Sequence, residues 1–308
     1  KNPMNLSLVI PVYNEQDNLP NLFDALYATL NTIQKSWEVI LVDDGSRDKS
    51  LEVLKEYAQK DPEHIRVISF RRNFGQTAAI AAGLDYSQGE IIILLDADMQ
   101  NDPADIPMML AKLDEGYDLV SGWRKYRKDN ALTRNLPSMI ANKIISRVTG
   151  VYLHDYGCTL KAYRRDVLEG FRLYGEMHRF IPVFADSVGA KITEMPVNHH
   201  PRKFGKTKYG LERTAKVVLD LFTVKFLVAY SSKPIYLFGG AGGILMIASA
   251  IIMFYLFSAI ILIFSLLTIT SRRILRAAVY LLFVLIATAG LYFLLEYQFM
   301  AAVQLTLY

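Results

Sequence analysis

The sequence predicts an α/β protein, a doubly wound and mostly parallel sheet followed by helices at and in a membrane, and two observations carry that prediction. Short β-branched runs alternate with helix-length amphipathic stretches through the first 200 residues, the pattern of parallel strands joined by helical crossovers. Charge, moreover, is unevenly spread. The 74 residues from Ile235 to Tyr308 carry only Arg272, Arg273, Arg276 and Glu296, whereas the first 234 carry 60 charges. That is the composition of a water-soluble module joined to a membrane segment. With 52% hydrophobic and 12% aromatic residues the chain can bury a sizeable core, which excludes wholesale disorder.

Strands are expected at Leu6 to Val12, Glu38 to Val42, Arg66 to Phe70, Ile91 to Leu95, Leu119 to Ser121 and Lys191 to Val197. Helices fill the gaps near Leu19 to Gln34, Lys49 to Lys60, Thr77 to Ser87, Ala104 to Glu115 and Arg134 to Val148, the last ended by Gly150. The run Ile91 to Leu95 has no polar alternation and reads as a central strand covered on both faces. Leu211 to Tyr230 mixes apolar residues with Glu212, Arg213, Lys216, Asp220 and Lys225, as a helix lying at a membrane surface does; an ordinary core-facing helix is the plainer alternative. The expected boundaries are therefore 1–210 for the α/β domain, 211–233 for the juxtamembrane helix and 234–308 for transmembrane helices. Their number is two or three. Ile235 to Ser271 holds 37 uncharged residues, about 55 Å as one helix against a hydrocarbon core of about 30 Å. If Lys233 and the Arg272–Arg273–Arg276 cluster share the cytoplasmic side, two crossings lie between them.

The net charge of +4 is split evenly between the two parts, so nothing suggests a generic nucleic-acid binder. Basic residues cluster locally in Arg124 to Lys128, Lys161 to Arg165 and Arg202 to Lys208, which suits phosphates or anionic headgroups. The single cysteine, Cys158, rules out an internal disulfide and fits a cytoplasmic soluble part. The first apolar run, Leu6 to Val12, is too short to read as a signal peptide.

A doubly wound sheet binds its ligand beyond the carboxyl ends of its strands. Three of those ends are polar here: Tyr13-Asn14-Glu15, Asp43-Asp44-Gly45-Ser46 and Asp96-Ala97-Asp98. Residues i and i+2 of an extended segment point the same way, so Asp96 and Asp98 can converge on one hard cation that also takes diphosphate oxygens. Gln100 can add an amide oxygen. Asp43 can accept hydrogen bonds from a base or ribose, while Gly45 and Ser46 supply turn and cap chemistry. The histidines His154, His199 and His200 have no metal-ligand spacing.

The ordered segments Leu8-Val9-Ile10-Pro11-Val12-Tyr13-Asn14-Glu15, Val42-Asp43-Asp44-Gly45-Ser46, Arg72-Asn73-Phe74-Gly75 and Asp96-Ala97-Asp98-Met99-Gln100 resemble family 2 glycosyltransferases of the GT-A fold. More narrowly, the chain is similar to the polyprenyl-phosphate glycosyltransferases. Arg134 with Ser138 and Asn142, Gly157-Cys158-Thr159-Leu160-Lys161, and His200-Pro201-Arg202 with Gly205-Lys206-Thr207-Lys208-Tyr209 extend the likeness over about residues 5 to 240.

The resemblance implies that Pro11, Tyr13, Glu15, Asp43, Gly75, Gln76, Asp96 and Ala97 hold the nucleotide sugar. Asp96, Asp98 and Gln100 would hold a divalent cation, Mg²⁺ or Mn²⁺. Arg124, Arg134, Arg202 and Lys208 would grip the phosphate of a polyprenyl acceptor. Asp96 and Asp98 would be catalytic, and Asp155 would stand in for a carboxylate that some relatives carry at the position of Thr159. The implied activity is inverting transfer of one sugar at the cytoplasmic face of the inner membrane, by a multi-pass protein whose relatives suggest a homo-oligomer. The Gln-x-x-Arg-Trp motif of processive synthases is absent, since neither Trp37 nor Trp123 is preceded by it. Tyr255 to Tyr308, by contrast, is similar to the start of NADH-quinone oxidoreductase chain J. That likeness keeps a second reading open, a membrane-complex subunit carrying a passenger transferase domain; a non-lipid acceptor is a third.

Overall fold

The computed structural model describes residues 4–125, 136–170, 172–201 and 212–295. The chain divides into two compact units, Lys1–Ala229 and Tyr230–Tyr308.

The first unit is a seven-stranded sheet in the order β3-β2-β1-β4-β6-β5-β7. Its strands are β1 (Leu6–Val12), β2 (Trp37–Asp43), β3 (Ile65–Ser69), β4 (Ile91–Leu94), β5 (Leu119–Trp123), β6 (Lys161–Arg164) and β7 (Ile192–Pro196). The crossovers are α1 (Leu19–Leu30), α2 (Ser50–Lys60), α3 (Gln76–Tyr86) and α4 (Ile106–Asp114), followed by α5 (Leu136–Thr149) and α6 (Ile181–Ser187). The pairings β1–β2, β2–β3, β1–β4 and β5–β7 are parallel, as the alternating pattern requires. β6 departs from it, running antiparallel between β4 and β5. Four residues with a lysine and an arginine give no strand period, so β6 is not legible as a strand in the sequence. Burial explains it: Lys161 is 2% exposed.

Side-chain alternation divides the core. Leu6, Leu8 and Ile10 of β1 and Ile93 of β4 face Leu22, Phe23, Leu26, Leu54 and Met109 of α1, α2 and α4. Val9, Ile92 and Leu94 face Ile80 of α3 and Ile181 and Ala185 of α6. All four residues of β4 are buried, because the strand is covered on both faces. This places Asp96 and Asp98 at the carboxyl end of the strand that joins the parallel half of the sheet to β6.

A satellite core joins Ile145 of α5, Met177, Phe180 and Phe184 to Leu221 and Val224 of α7 (Glu212–Ala229). α7 therefore has an inner face that packs like a core helix, while Leu219 and Phe222 on its outer face are exposed.

The second unit is a hairpin of α8 (Pro234–Thr270) and α9 (Ile274–Leu294), both long and apolar enough to cross a membrane. α8 is unbroken, so the two-crossing alternative between Lys233 and Arg272 is not what forms. No proline falls within the helix beyond its first residue, and the glycines 239, 240, 242 and 243 do not interrupt it. Phe264 stacks on Phe283 with ring centroids 4.8 Å apart. At Gly290 a Cβ would stand 2.6 Å from the Phe257 ring, so glycine is what lets the helices approach there.

At the amino ends of the strands Glu38, 1% exposed, accepts from Ser7 Oγ (2.6 Å), Gln88 N (2.6 Å) and Arg66 (3.0 Å). Glu38→Ala removes a buried acceptor that three donors share. It is expected to cost about 3 kcal/mol and to lower the melting temperature by about 5–10 °C in a thermal-shift assay; an unchanged melting temperature contradicts that role.

Candidate active site

Three strand ends and two loops meet around Asp96. The loop after β1 passes through Asn14 at φ +53°, and the turn after β4 passes through Met99 at φ +59°. These are the two non-glycine residues of positive φ among the described residues, and they sit at the ends of the paired neighbours β1 and β4. Backbone of that kind costs about 1–3 kcal/mol and persists where neighbours hold it. For Asn14 the hold is visible: its N–H donates to Ser46 Oγ (3.0 Å) and its Oδ1 accepts from Arg47 N (2.8 Å). Glu15 N donates to Ser50 Oγ (2.9 Å), so the loops after β1 and β2 are laced together.

Of the residues assigned to the nucleotide sugar, Pro11 lies in β1 beside Val42, and Asp43 closes β2, buried, accepting from Ser69 Oγ (3.3 Å) and Ser46 N (3.3 Å). Glu15 Oε2 accepts from Asn18 Nδ2 (2.6 Å), and Tyr13 stands between Val12 and Asn14 at the same edge. Ala97 is buried in the main core.

In the sequence Asp44 stands out only as part of a turn, and it does more. Its carboxylate accepts from Asn73 Nδ2 (2.9 Å), Phe74 N (2.7 Å) and Gly75 N (2.9 Å), holding the loop 72–75 against β2. Gly45 must be glycine for that approach, with φ +67° and a Cβ position only 2.4 Å from the Arg72 carbonyl carbon. Burial raises the Asp44 carboxyl above its ordinary value, and the two backbone donors pull it back. The loop so held ends in Gly75 and Gln76, which open α3.

Gln76 Nε2 donates to Asp96 Oδ1 (2.8 Å), and Thr159 Oγ1 donates to Asp96 Oδ2 (2.7 Å). The carboxylate is thus oriented from both sides, by the start of α3 and by the loop entering β6. Asp98, 8% exposed, accepts from Gln100 N (3.1 Å). Burial and then the neighbouring Asp98 push Asp96 up to about 6, while the Thr159 hydrogen bond, Arg124 and Lys161 act in the other direction. Among the described residues no three His, Cys, Asp or Glu side chains cluster as a complete protein metal cage. Two adjacent carboxylates, one of them oriented and made costly to ionise by burial, fit a Mg²⁺ or Mn²⁺ ion that takes its remaining ligands from water and diphosphate.

Arg124 and Asp155, expected in separate roles, form one ion pair. Nε reaches Oδ2 at 2.7 Å and Nη2 reaches Oδ1 at 2.9 Å, with Gly157 N also on Oδ1 (3.1 Å). Asp155 is 3% exposed. Lys161, which the sequence presents only as a member of a basic cluster, donates from the interior to the carbonyls of Tyr156 and Cys158; burial lowers it from the usual ammonium range. It thereby holds the loop that carries Thr159. Asn142 Nδ2 donates to His154 O (2.8 Å) beside the same loop. Arg134, Arg202 and Lys208 lie outside the described residues. A cavity of about 750 Å³, lined by Ala81, Leu84, Asp85, Arg165 and Arg172, lies toward the amino end of β4 and not at Asp96.

Residues 7–171, more than half of the chain, match the family model of glycosyl transferase family 2. The chain belongs to glycosyl transferase family 2. This glycosyltransferase is 44% identical over 256 residues to a dodecaprenyl-phosphate galacturonate synthase of Rhizobium johnstonii, covering 82% of this chain and 76% of the relative. It is also 44% identical over 218 residues to an undecaprenyl-phosphate 4-deoxy-4-formamido-L-arabinose transferase of Salmonella paratyphi A, covering 71% and 66%. In fold it is similar to the glucosyl-3-phosphoglycerate synthase of Mycobacterium tuberculosis, crystallised with Mn²⁺ and UDP-glucose. That likeness has a TM-score of 0.54 at 19% identity and covers 73% of this chain and 79% of that one. The GT-A architecture read from the motifs is thereby borne out. Residues 264–308 match the family model of NADH-ubiquinone/plastoquinone oxidoreductase chain 6, in agreement with the resemblance of the tail.

A carboxyl raised to about 6 binds its proton more tightly in the folded, metal-free protein than in the unfolded chain. That proton's contribution to stability is complete below the unfolded value of about 3.9 and is lost as pH rises through about 6. A cation held by Asp96 would have to displace the same proton. Mn²⁺ affinity, followed by electron paramagnetic resonance, is therefore expected to hold above about pH 7 and to fall toward tenfold per pH unit below about pH 6; a flat profile over that range contradicts the assignment of Asp96.

Proposed function

We propose that this glycosyltransferase moves a single sugar from a nucleotide-diphosphate sugar to a polyprenyl phosphate, with inversion at the anomeric carbon, at the cytoplasmic face of the membrane in which α8 and α9 sit. The observation that carries this reading is the Asp96-x-Asp98 pair at the end of β4, oriented by Gln76 and Thr159. Two relatives whose names specify polyprenyl-phosphate sugar transfer support it, each 44% identical to this chain.

In this reading Asp43 and the edge formed by Pro11, Tyr13 and Glu15 receive the nucleoside. Asp96, Asp98 and Gln100 hold the cation, for which the Mn²⁺ and UDP-glucose of the fold neighbour are a precedent. When bound, the cation neutralises charge developing on the departing nucleoside diphosphate. The lipid phosphate has a second pKa near about 6, so it is mostly a dianion at neutral pH and is its own nucleophile. Its oxygen forms the bond to the anomeric carbon as the bond from that carbon to the diphosphate oxygen breaks.

A general base is then dispensable, and in this reading Asp155 has different work. Both of its oxygens are engaged, and its role is to hold Arg124 with one guanidinium edge fixed. Arg124, Arg134, Arg202 and Lys208 grip the acceptor phosphate, and arginine's planar fork suits that contact. The exposed outer residues Leu219 and Phe222 of α7 suit an interfacial position for that helix.

The test is a panel of nucleotide sugars, including UDP-galacturonate and UDP-4-deoxy-4-formamido-L-arabinose, offered to the full chain with undecaprenyl phosphate and Mg²⁺ or Mn²⁺. Lipid-linked product is expected with one donor, and Asp98→Ala is expected to lose at least about a hundredfold in rate. Full metal-dependent transfer by Asp98→Ala contradicts the site. Equal transfer to short water-soluble acceptors contradicts the lipid assignment, and no transfer at all favours a passenger domain on a membrane-complex subunit.

A further inference from the structure

Two buried residues of β6 share the wall of one small cavity. Lys161 and Tyr163 are two apart on the strand and so point to the same face, while Ala162 between them belongs to the opposite core. The cavity, of about 10 Å³, is lined by both of them, by Ile80 and Leu94, and by residues 156–159 of the loop ahead of β6, with His178 and Arg179 completing it. That volume is about what one water needs.

Both residues bring polar groups that protein atoms leave unmatched. Tyr163 is fully buried, and its Oη has no hydrogen-bond partner among the described residues. A lysine ammonium carries three N–H donors, and Lys161 directs two of them to the carbonyls of Tyr156 and Cys158. Buried polar groups are satisfied as a rule, by ordered water where protein atoms do not serve. A cavity with apolar walls alone stays dry, so the two polar groups decide the matter here. A water between them accepts from Lys161 Nζ and from Tyr163 Oη. The carbonyls of Tyr156 and Cys158 each keep a second lone pair for its hydrogens.

We propose that this cavity binds one water, which ties Lys161 and Tyr163 of β6 to the loop 156–159 and so holds Thr159 against Asp96. Tyr163 is then a positioning residue for the carboxylate, acting through Thr159, whose hydroxyl donates to Asp96 Oδ2 (2.7 Å). The positioning role rests on the reading that Asp96 holds the cation; the water itself does not.

Crystals of the full chain test the water directly. Density for one water is expected at about 2.5–3.2 Å from both Lys161 Nζ and Tyr163 Oη. No density there overturns the proposal. The sign of a stability change is a second test, because Tyr163→Phe keeps the ring and removes only the hydroxyl. A hydroxyl bonded to water stabilises the fold, so the melting temperature is expected to fall by about 2–4 °C. A rise contradicts the proposal, since it is what removal of a buried hydroxyl without a partner produces.

Positioning is read separately, from Mn²⁺ affinity followed by electron paramagnetic resonance. Tyr163→Phe is expected to weaken Mn²⁺ at least about twofold and to add nothing further once Thr159→Val has removed the donor to Asp96, because the two act in series. A merely structural role lowers the melting temperature and leaves Mn²⁺ affinity alone. Asp96→Ala separates the two layers. If it loses Mn²⁺ while Tyr163→Phe binds as wild type does, the metal reading stands and the positioning role is wrong. If Asp96→Ala binds Mn²⁺ as wild type does, the metal reading fails and the positioning role fails with it, while the water still stands or falls on the crystal.

Discussion

The pair of hydrogen bonds on Asp96 is the constraint around which the rest of the site is arranged. A buried carboxylate beside a second carboxylate is a costly group, and its orientation is set only because Gln76 and Thr159 take one oxygen each. Each of those donors has its own support. Gln76 follows the loop that Asp44 holds through three hydrogen bonds, and Thr159 sits on the loop that buried Lys161 and the Arg124–Asp155 pair hold in place. The site is therefore an assembly of loops fastened by charged groups over a rigid strand end, as a precise binding constellation requires.

Much of this is legible in sequence because hydrophobic period and motif agree. β1 has the ends its apolar run predicts, and β2, β3, β4 and β5 match theirs to within a residue or two, since their runs are β-branched and their crossovers amphipathic. The strand ends follow, and with them Asp43, Asp96 and Asp98. The parts that escape depend on contacts far apart in the chain. β6 has no apolar period, and its lysine becomes interior only because Tyr156 and Cys158 offer carbonyls to it. Asp44 and Thr159 carry a signal, standing inside family motifs, but their partners lie about 30 and 60 residues away along the chain, beyond what local propensity can see. The pairing of Arg124 with Asp155 is of the same kind: both residues are visible as candidates, and the bond between them is not.

The tail shows the opposite balance. Composition announces its membrane character at once, whereas its threading depends on whether 37 uncharged residues make one helix or two. They make one, α8, held over its second half by α9 through Phe264, Phe283 and the close approach at Gly290. A family 2 catalytic domain and a segment matching oxidoreductase chain 6 thus share one chain, and the match to the latter begins within α8. Physically the two meet only the shared demand of the bilayer, apolar helices of sufficient length, which unrelated families satisfy with similar residues.

Everything proposed for the chemistry rests on cation and nucleoside diphosphate binding together at the Asp96–Asp98 turn. Anomalous scattering from crystals of the full chain grown with Mn²⁺ and UDP measures that directly. A manganese peak is expected at about 2.0–2.3 Å from a carboxylate oxygen of Asp98, with Asp96 and the diphosphate beside it. A peak coordinated elsewhere, or UDP bound with no manganese at this turn, would contradict it.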